Sequence, residues 1–282
     1  MEAGIRKGYE LIMDMNNLKL RIYSSIVLVP IVFFPIYLGG WYFTLPLVFF
    51  VTILFYELIT ISGQKSKKIL SILYFFSLML ITLLWDLILP AVILLLILLS
   101  ISSLWNLFVM QKNTLWTLYF LNYTLIFFVF FYSLMNNQSQ DESKHIIFFI
   151  VSIAVLSDLG GYIGGKLIGK KKAFPKISPN KTIEGTISAI LFPTIINYSI
   201  LCSMNYQIDK TILIILLVLL SIGAILGDLF ASLIKRNFNI KNASNLLPGH
   251  GGFLDRFDSV IGVTITYILI IYSYEFYVMM QL

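Results

Sequence analysis

The chain has 282 residues, of which 59% are hydrophobic and 12% are charged, and its mean hydropathy is +0.89. Soluble domains carry about 25% charged residues, so this composition excludes a water-soluble globular protein. The formal net charge of +6 comes without a long basic run, so we expect no nucleic-acid partner. The simplest interpretation is a single integral membrane domain over residues 1–282.

Apolar stretches long enough to cross a bilayer recur along the chain. A transmembrane helix needs about 20 apolar residues, and nine stretches approach that length. The predicted fold is therefore all-α, a polytopic membrane protein with about nine transmembrane helices. The first stretch ends at Gly39 and Gly40 without the small-residue cleavage pattern of a secretory signal, so we expect it to be retained. The nine stretches lie near 20–38, 42–60, 69–85, 88–110, 115–135, 146–168, 184–204, 211–234 and 259–280.

Basic residues are concentrated in alternate turns of this predicted arrangement. Lysine and arginine in short loops favour the cytoplasmic side of a membrane. The N-terminal arm and the second, fourth, sixth and eighth turns hold all of them except Lys144 and Lys210. This pattern predicts a cytoplasmic N-terminus in a cell inner membrane or its equivalent. The long polar turns 169–183 and 235–257 then also lie on the cytoplasmic side, where we expect the function.

Five acidic residues, including Glu184 at the start of the seventh span, fall within the predicted spans and need an explanation, because a charge at mid-helix costs about 2.5 to 3.5 kcal/mol. Glu57 and Glu275 lie near span ends, where we expect interfacial solvation. Asp158 and Asp228 lie deeper. The latter two are therefore candidates for a structural ion pair or for a functional site.

Asp228 shares a predicted helix face with two other polar residues. Ser232 and Lys235 follow it at i+4 and i+7, so one face would present a carboxylate, a hydroxyl and an ammonium group. A buried pair between Asp228 and Lys235 or Arg236 would explain these residues structurally. A catalytic site would explain them equally well at this point.

The eighth turn combines glycines with two further carboxylates. Its sequence from Pro248 is PGHGGFLDRFDS, in which Asp255 and Asp258 share one face of a helix that has already begun. The glycines allow backbone N–H groups to approach a ligand. Carboxylates at a water–lipid boundary suit Mg²⁺, which completes its shell with phosphate oxygens. The segment therefore indicates a magnesium-dependent phosphoryl or nucleotidyl transfer site.

The sixth turn indicates a phosphate-binding helix start. Its sequence from Lys176 is KISPNKTIEG; Thr182 or Ser178 could cap the helix, and a helix N-terminus favours phosphate. A purely structural helix start would explain the same Ser, Pro and Thr. It would leave unexplained the basic residues 170–172, which suit a topogenic signal or an anionic-lipid contact.

Glycines at four-residue spacing predict close helix packing within the spans. One set lies between Gly160 and Gly169, and the other consists of Gly223 and Gly227. Packing of the sixth span on the eighth would bring Asp158 toward Asp228.

These motifs resemble those of the phosphatidate cytidylyltransferase family, also called CDP-diacylglycerol synthases. The resemblance covers roughly residues 155–260, whereas the N-terminal half, 1–140, matches only in being apolar; the catalytic part is expected within 146–282. Two departures are visible: Asn242 stands where the family has aspartate, and Ser244 where a glycine-like residue is common. Asn242 is not carried over as a ligand. The matching segments are Ser232 to Arg236 with Lys241, Pro248 to Asp258, Ser178 to Gly185, and Gly223 to Asp228.

The resemblance implies that CTP and phosphatidate are joined to give CDP-diacylglycerol and pyrophosphate, a step of phospholipid biosynthesis. It implies two divalent ions, expected to be Mg²⁺, held by Asp228, Asp255 and Asp258. The catalytic residues it implies are these three with Lys235, Arg236 and Arg256. The substrate-binding residues it implies are Ser178, Lys181, Thr182, Glu184, Ser232, Lys241 and His250.

Three other interpretations fit the sequence less closely. A related CTP-dependent lipid enzyme, such as a CDP-archaeol synthase or a lipid-alcohol kinase, shares much of the motif chemistry. A transporter would also place acids and glycines within spans, but it should show a polar path through the first five spans. A relative without activity is suggested by Asn242. The expected partners are CTP, phosphatidate and the bilayer; a homodimer is left open.

Overall fold

The computed structural model describes residues 30–63, 65–85, 114–137, 140–203, 209–244, 246 and 251–279. The first helix, α1, contains residues 30–38 and is separated from the next by Gly39, whose φ of 68° favours glycine. The other helices of the described part are α2 (Gly40–Ile61), α3 (Lys67–Leu83), α4 (Thr114–Asn137), α5 (Gln140–Leu167), α6 (Ile183–Ser203), α7 (Lys210–Asn237) and α8 (Leu254–Met279).

Helices α2 to α8 coincide with seven of the predicted spans to within a few residues. Five of the described helices are long and apolar enough to cross a membrane. The prediction of about nine spans is not confirmed: α3 and α8 are not among these five helices, and the stretch near 88–110 and residues 20–29 of the first stretch lie outside the described residues. The qualifying segments are Gly40–Ile61, Leu118–Asn136, Asp141–Leu167, Ile183–Ser203 and Lys210–Asn237.

The described part of the chain is mostly helical, as predicted, but the sixth turn departs from an all-α fold because it contains a β-hairpin. Strand β1 (Lys172–Phe174) pairs antiparallel with β2 (Ser178–Thr182). The turn between them is closed by a hydrogen bond from Ile177 N to Phe174 O at 3.2 Å. This polar segment contains Pro175 and Pro179, which disfavour helix, and pairing of two short strands satisfies its backbone groups instead.

Helix α6 begins directly after the hairpin, and Thr182 caps it. The Thr182 hydroxyl accepts a hydrogen bond from Gly185 N at 3.1 Å, which confirms one of the two predicted caps. Ser178 lies in β2 and is not a cap. The Glu184 carboxylate accepts from Lys170 N at 3.0 Å and so holds the end of α5 beside the start of α6.

The glycines pack helices closely, as predicted, but their partner helices differ from those predicted. A Cβ at Gly160 would lie 2.6 Å from Phe192 Cβ, so this glycine stripe of α5 packs on α6. A Cβ at Gly227 would lie 2.8 Å from Gly262 Cα, so the glycines of α7 pack on α8. The glycines of the sixth predicted span (α5) therefore pack on the seventh (α6), and those of the eighth (α7) pack on the ninth (α8).

The main apolar core surrounds α2, where Val48, Leu54 and Leu58 are fully buried. Aromatic side chains of α4, including Phe120 and Phe128, are buried in the same core cluster. Other large apolar side chains point outward, as expected where lipid replaces water. They include Phe76, Tyr162, Ile195, Ile212 and Leu269.

Candidate active site

Two lysine–aspartate pairs join the motif-bearing segments at one end of the bundle. In the first pair, Lys181 Nζ of β2 lies 2.5 Å from Asp228 Oδ2 of α7. Their side chains are 26% and 28% exposed. The pair therefore connects the hairpin to α7 where water and solutes can reach both charges.

The second pair is more enclosed. Lys235 Nζ of α7 lies 2.6 Å from Asp255 Oδ1 of α8, with side chains 11% and 12% exposed. The other oxygen, Asp255 Oδ2, accepts hydrogen bonds from Ala243 N and Gly252 N, both at 3.0 Å. Asp255 thus joins α7, through Lys235, to the backbone of Ala243 and Gly252 near the start of α8.

The pairing differs from the structural alternative that the sequence left open. Asp228 pairs with Lys181 rather than with Lys235 or Arg236. Ser232 does lie beside Asp228, as its spacing predicts, and its hydroxyl donates to Oδ1 at 3.4 Å. Arg236 is exposed and donates to the carbonyl oxygens of Ile177 and Ile240 at 3.3 Å. Arg236 therefore attaches the hairpin turn to the end of α7.

Three acidic residues from three helices act electrostatically on one another near the first pair. They are Asp158 of α5, Asp228 of α7 and Asp258 of α8. Asp258 is only 6% exposed, and the Ser259 hydroxyl donates to Asp158 Oδ1 at 2.9 Å. The sequence predicted that Asp158 would lie toward Asp228, and the interaction of their charges agrees with this; the family resemblance gave Asp158 no role in the site.

The carboxylates of this cluster are suitable ligands for a divalent cation, but their side chains are not positioned around a common point. Carboxylate oxygens are the ligands that Mg²⁺ prefers, and a cation would relieve the mutual repulsion of the three acids. Within the described residues, however, no group of three or more acidic, histidine or cysteine side chains is arranged to hold a metal ion. Asp228 and Asp258 fit as ligands by chemistry. Asp255 could bind the cation only if its ion pair with Lys235 separated.

Glu57 contradicts the expectation of interfacial solvation. It is 1% exposed and accepts hydrogen bonds from Phe253 N at 2.9 Å and Leu254 N at 2.8 Å. The N–H groups at a helix start lack intrahelical acceptors and attract negative charge. Backbone N–H groups at the start of α8 therefore take the place of water around the Glu57 carboxylate. The sequence indicated this contact only by placing an acidic residue within an apolar span.

The remaining predicted site residues are distributed around these contacts. Thr182 caps the start of α6, and Glu184 in the first turn of α6 binds Lys170 N. Lys241 is exposed. Arg256 is exposed as well, and its charge acts on Asp158. His250 lies outside the described residues.

Comparison with known proteins identifies the family. A model of the cytidylyltransferase family matches residues 19–274. The chain belongs to the cytidylyltransferase family. This membership agrees with the resemblance inferred from the motifs, since the matched region contains both lysine–aspartate pairs.

Curated relatives from staphylococci match part of the chain. The phosphatidate cytidylyltransferase of Staphylococcus haemolyticus (strain JCSC1435) is 40% identical over 141 residues, which are 50% of this chain and 52% of that protein. The phosphatidate cytidylyltransferase of Staphylococcus aureus (strain COL) is 41% identical over the same shares. That of Staphylococcus saprophyticus is 40% identical over 126 residues, 45% of this chain and 48% of that protein. The chain thus spans about half the length of the curated relatives it matches.

Proposed function

We propose that this chain is a membrane nucleotidyltransferase that joins CTP and phosphatidate to give CDP-diacylglycerol and pyrophosphate. The observation that carries the proposal is the Lys181–Asp228 contact, which joins the segment from Ser178 to Gly185 to the segment from Gly223 to Asp228. Membership in the cytidylyltransferase family and the names of the relatives support the same reaction.

The reaction needs charge neutralisation more than it needs a side-chain nucleophile. A phosphatidate oxygen forms a bond to the α-phosphorus of CTP. The bond between that phosphorus and the α,β-bridging oxygen breaks, and pyrophosphate leaves with the electron pair. A phosphate monoester is already largely ionised at neutral pH, because its second pKa is about 6. A dedicated general base is therefore not required.

The basic residues of the site are placed to neutralise phosphate charge. Lys181 is partly exposed and would exchange Asp228 for the phosphates of CTP, with Thr182, Ser178 and Glu184 beside it at the hairpin and the start of α6. Arg256 at the start of α8 and Arg236 at the end of α7 are exposed and suit pyrophosphate or the lipid headgroup. Lys235 would act from its pair with Asp255.

Asp228 and Asp258 would hold a divalent cation, with Asp255 as the third candidate ligand. Bound Mg²⁺ would reduce the repulsion between two anionic phosphates and stabilise the charge of the attacking and leaving oxygens. Asp158 would add to the attraction for a cation, because its carboxylate is close enough to Asp228 for their charges to interact.

The proposed location is the cytoplasmic edge of the membrane, with the N-terminus also cytoplasmic. The five apolar helices support a membrane protein. Placement at the edge has a physical reason, because the nucleotide arrives from water while the diacyl chains stay in lipid.

The test is transfer of cytidine-labelled CTP to lipid by the purified protein with Mg²⁺. We expect label in the lipid extract with phosphatidate as acceptor, and none when the divalent ion is chelated. Cytidine label on an ether-linked lipid phosphate alone would favour a CDP-archaeol synthase. Absence of cytidine label with every acceptor would exclude the proposed reaction and leave a lipid-alcohol kinase, a transporter or an inactive relative.

A further inference from the structure

Glu57 joins the N-terminal part of the bundle to the segment that carries the second pair. Its Oε1 accepts from Phe253 N at 2.9 Å and its Oε2 from Leu254 N at 2.8 Å. The Ser244 hydroxyl also donates to Oε1. One buried carboxylate of α2 therefore contacts Ser244, which follows α7, and residues 253–254 at the start of α8.

Asp255 binds the backbone directly beside these contacts. It accepts from Ala243 N and Gly252 N, which directly precede Ser244 and Phe253. The two carboxylates are closely packed around Gly252, where a Cβ would lie 2.9 Å from Glu57 Oε1 and 2.9 Å from Ala243 Cβ. A shift of Glu57 would therefore move the backbone that positions Asp255.

Both oxygens of Glu57 must accept hydrogen bonds, so a carboxylate is required at this position. A glutamine would keep the shape but present an NH₂ group to one of the two backbone N–H donors. The N–H groups of Phe253 and Leu254 also have no acceptor within α8, because they lie at its first turn.

We propose that Glu57 is a positioning residue for the transfer site: through Ser244, Phe253 and Leu254 it fixes the backbone beside Asp255 and thereby the Lys235–Asp255 pair. It does so from outside the motif-bearing region and without contact to the reacting groups. This inference rests on the proposed function, since it assigns a role in that reaction.

Hydrogen exchange at the amides of Phe253 and Leu254 tests the contact without requiring activity. In the full-length protein in lipid nanodiscs, Glu57→Gln should speed exchange by at least about tenfold at the one amide that then faces the NH₂ group, because a lost acceptor worth about 1.4 kcal/mol corresponds to that factor. Glu142→Gln changes an exposed glutamate at the start of α5 and should leave these amides unchanged. Unchanged exchange in folded Glu57→Gln would overturn the proposal.

Kinetics separate positioning from a purely structural role. Small displacements at a reacting centre cost up to about a hundredfold in rate, so Glu57→Gln should lower kcat by at least about tenfold and leave the KM for CTP within about threefold. Ser244→Ala removes one donor and keeps both amide contacts, so its loss of kcat should be smaller. Ser244→Ala also serves if Glu57→Gln does not fold; in that case a kcat equal to that of the wild type in Ser244→Ala would overturn the proposal.

The outcomes distinguish this inference from the proposed function. A wild-type protein that transfers no cytidine label contradicts the proposed function and the positioning role together, while exchange still reports whether Glu57 holds the segment. An active wild type with faster exchange but unchanged kcat in Glu57→Gln would overturn the positioning role alone.

Discussion

The two lysine–aspartate pairs differ in how far water reaches them and in what else they hold. The side chains of Lys181 and Asp228 are about a quarter exposed, and the Ser232 hydroxyl donates a long hydrogen bond of 3.4 Å to the same carboxylate. Those of Lys235 and Asp255 are about a tenth exposed, and Asp255 also holds two backbone amides. Asp228 and Lys235 lie on the same helix, seven residues apart.

This difference suggests separate tasks for the two pairs. A partly exposed pair contributes little to stability, so Lys181 can leave Asp228 for a phosphate while a cation takes its place. Separation of the enclosed pair would leave a buried charge without a partner, which is costly. We therefore infer that the exposed pair exchanges partners during the reaction while the enclosed pair keeps the start of α8 in position.

The largest expected effect is the loss of turnover in Asp228→Asn. The change removes a negative charge from the proposed cation site, and loss of one such electrostatic contact costs about a hundredfold or more in kcat. Transfer of cytidine label to lipid measures it. Asp141→Asn, at a surface pair 3.4 Å from Lys144, is the matched control and should leave the rate unchanged. A rate near that of the wild type at saturating Mg²⁺ would remove Asp228 from the cation site.

Asp255→Asn should reduce both turnover and stability. It leaves Lys235 in an enclosed position without its partner, which costs about 3 kcal/mol of unfolding free energy. In detergent, Asp255→Asn should have a lower thermal unfolding midpoint than Asp228→Asn, because the pair that Asp228 forms is more exposed. If the two variants unfold at the same temperature, the distinction between an enclosed and an exposed pair does not hold.

Gly262→Ala tests the α7–α8 contact that both pairs depend on. A Cβ at Gly262 would lie 2.7 Å from Gly227 Cα, and overpacking of this kind costs about 1 to 3 kcal/mol. At Gly161 the nearest atom to an added Cβ is Ala189 Cβ at 3.4 Å, so Gly161→Ala is the control and should be close to neutral. Equal unfolding midpoints for the two variants would show that α7 and α8 can separate without loss.

A smaller effect is expected for Lys181→Ala. Without its ammonium group the site should bind CTP more weakly, with a KM for CTP raised by about tenfold, or about 1.4 kcal/mol. The KM for phosphatidate should change less. An unchanged KM for CTP would mean that Lys181 serves only to neutralise Asp228.

Much of the helical framework could be predicted, because apolar length and glycine spacing report directly on membrane helices. The structure confirms the break at Gly39 and the cap at Thr182. The hairpin was missed, since a strand of three residues such as Lys172–Phe174 has too short a pattern to separate from a loop. The partner helices of the glycines were missed as well, because spacing indicates a packing face without indicating what packs on it.

The sequence predicted which residues form the candidate site better than it predicted which of them contact one another. The motifs placed Lys181, Asp228 and Asp255 in one site, and the structure shows which charge pairs with which. Residue spacing on α7 suggested a pair within one helix, whereas the structure has each charge bound to a different element. Glu57 could not be assigned from sequence, because its partners are backbone N–H groups almost 200 positions away along the chain.

Binding of Mn²⁺, used as a paramagnetic substitute for Mg²⁺, tests the account most directly, since it needs no turnover. Its electron paramagnetic resonance signal in the presence of CTP reports ions bound to the purified protein. Asp209→Asn is the control at the far end of α7; hydrogen bonds from Ile212 N and Thr211 N lower the pKa of Asp209, and asparagine can cap the helix in its place. We predict CTP-dependent binding in the wild type and in Asp209→Asn, and its loss in Asp228→Asn. Equal Mn²⁺ binding by the wild type and Asp228→Asn would contradict the account.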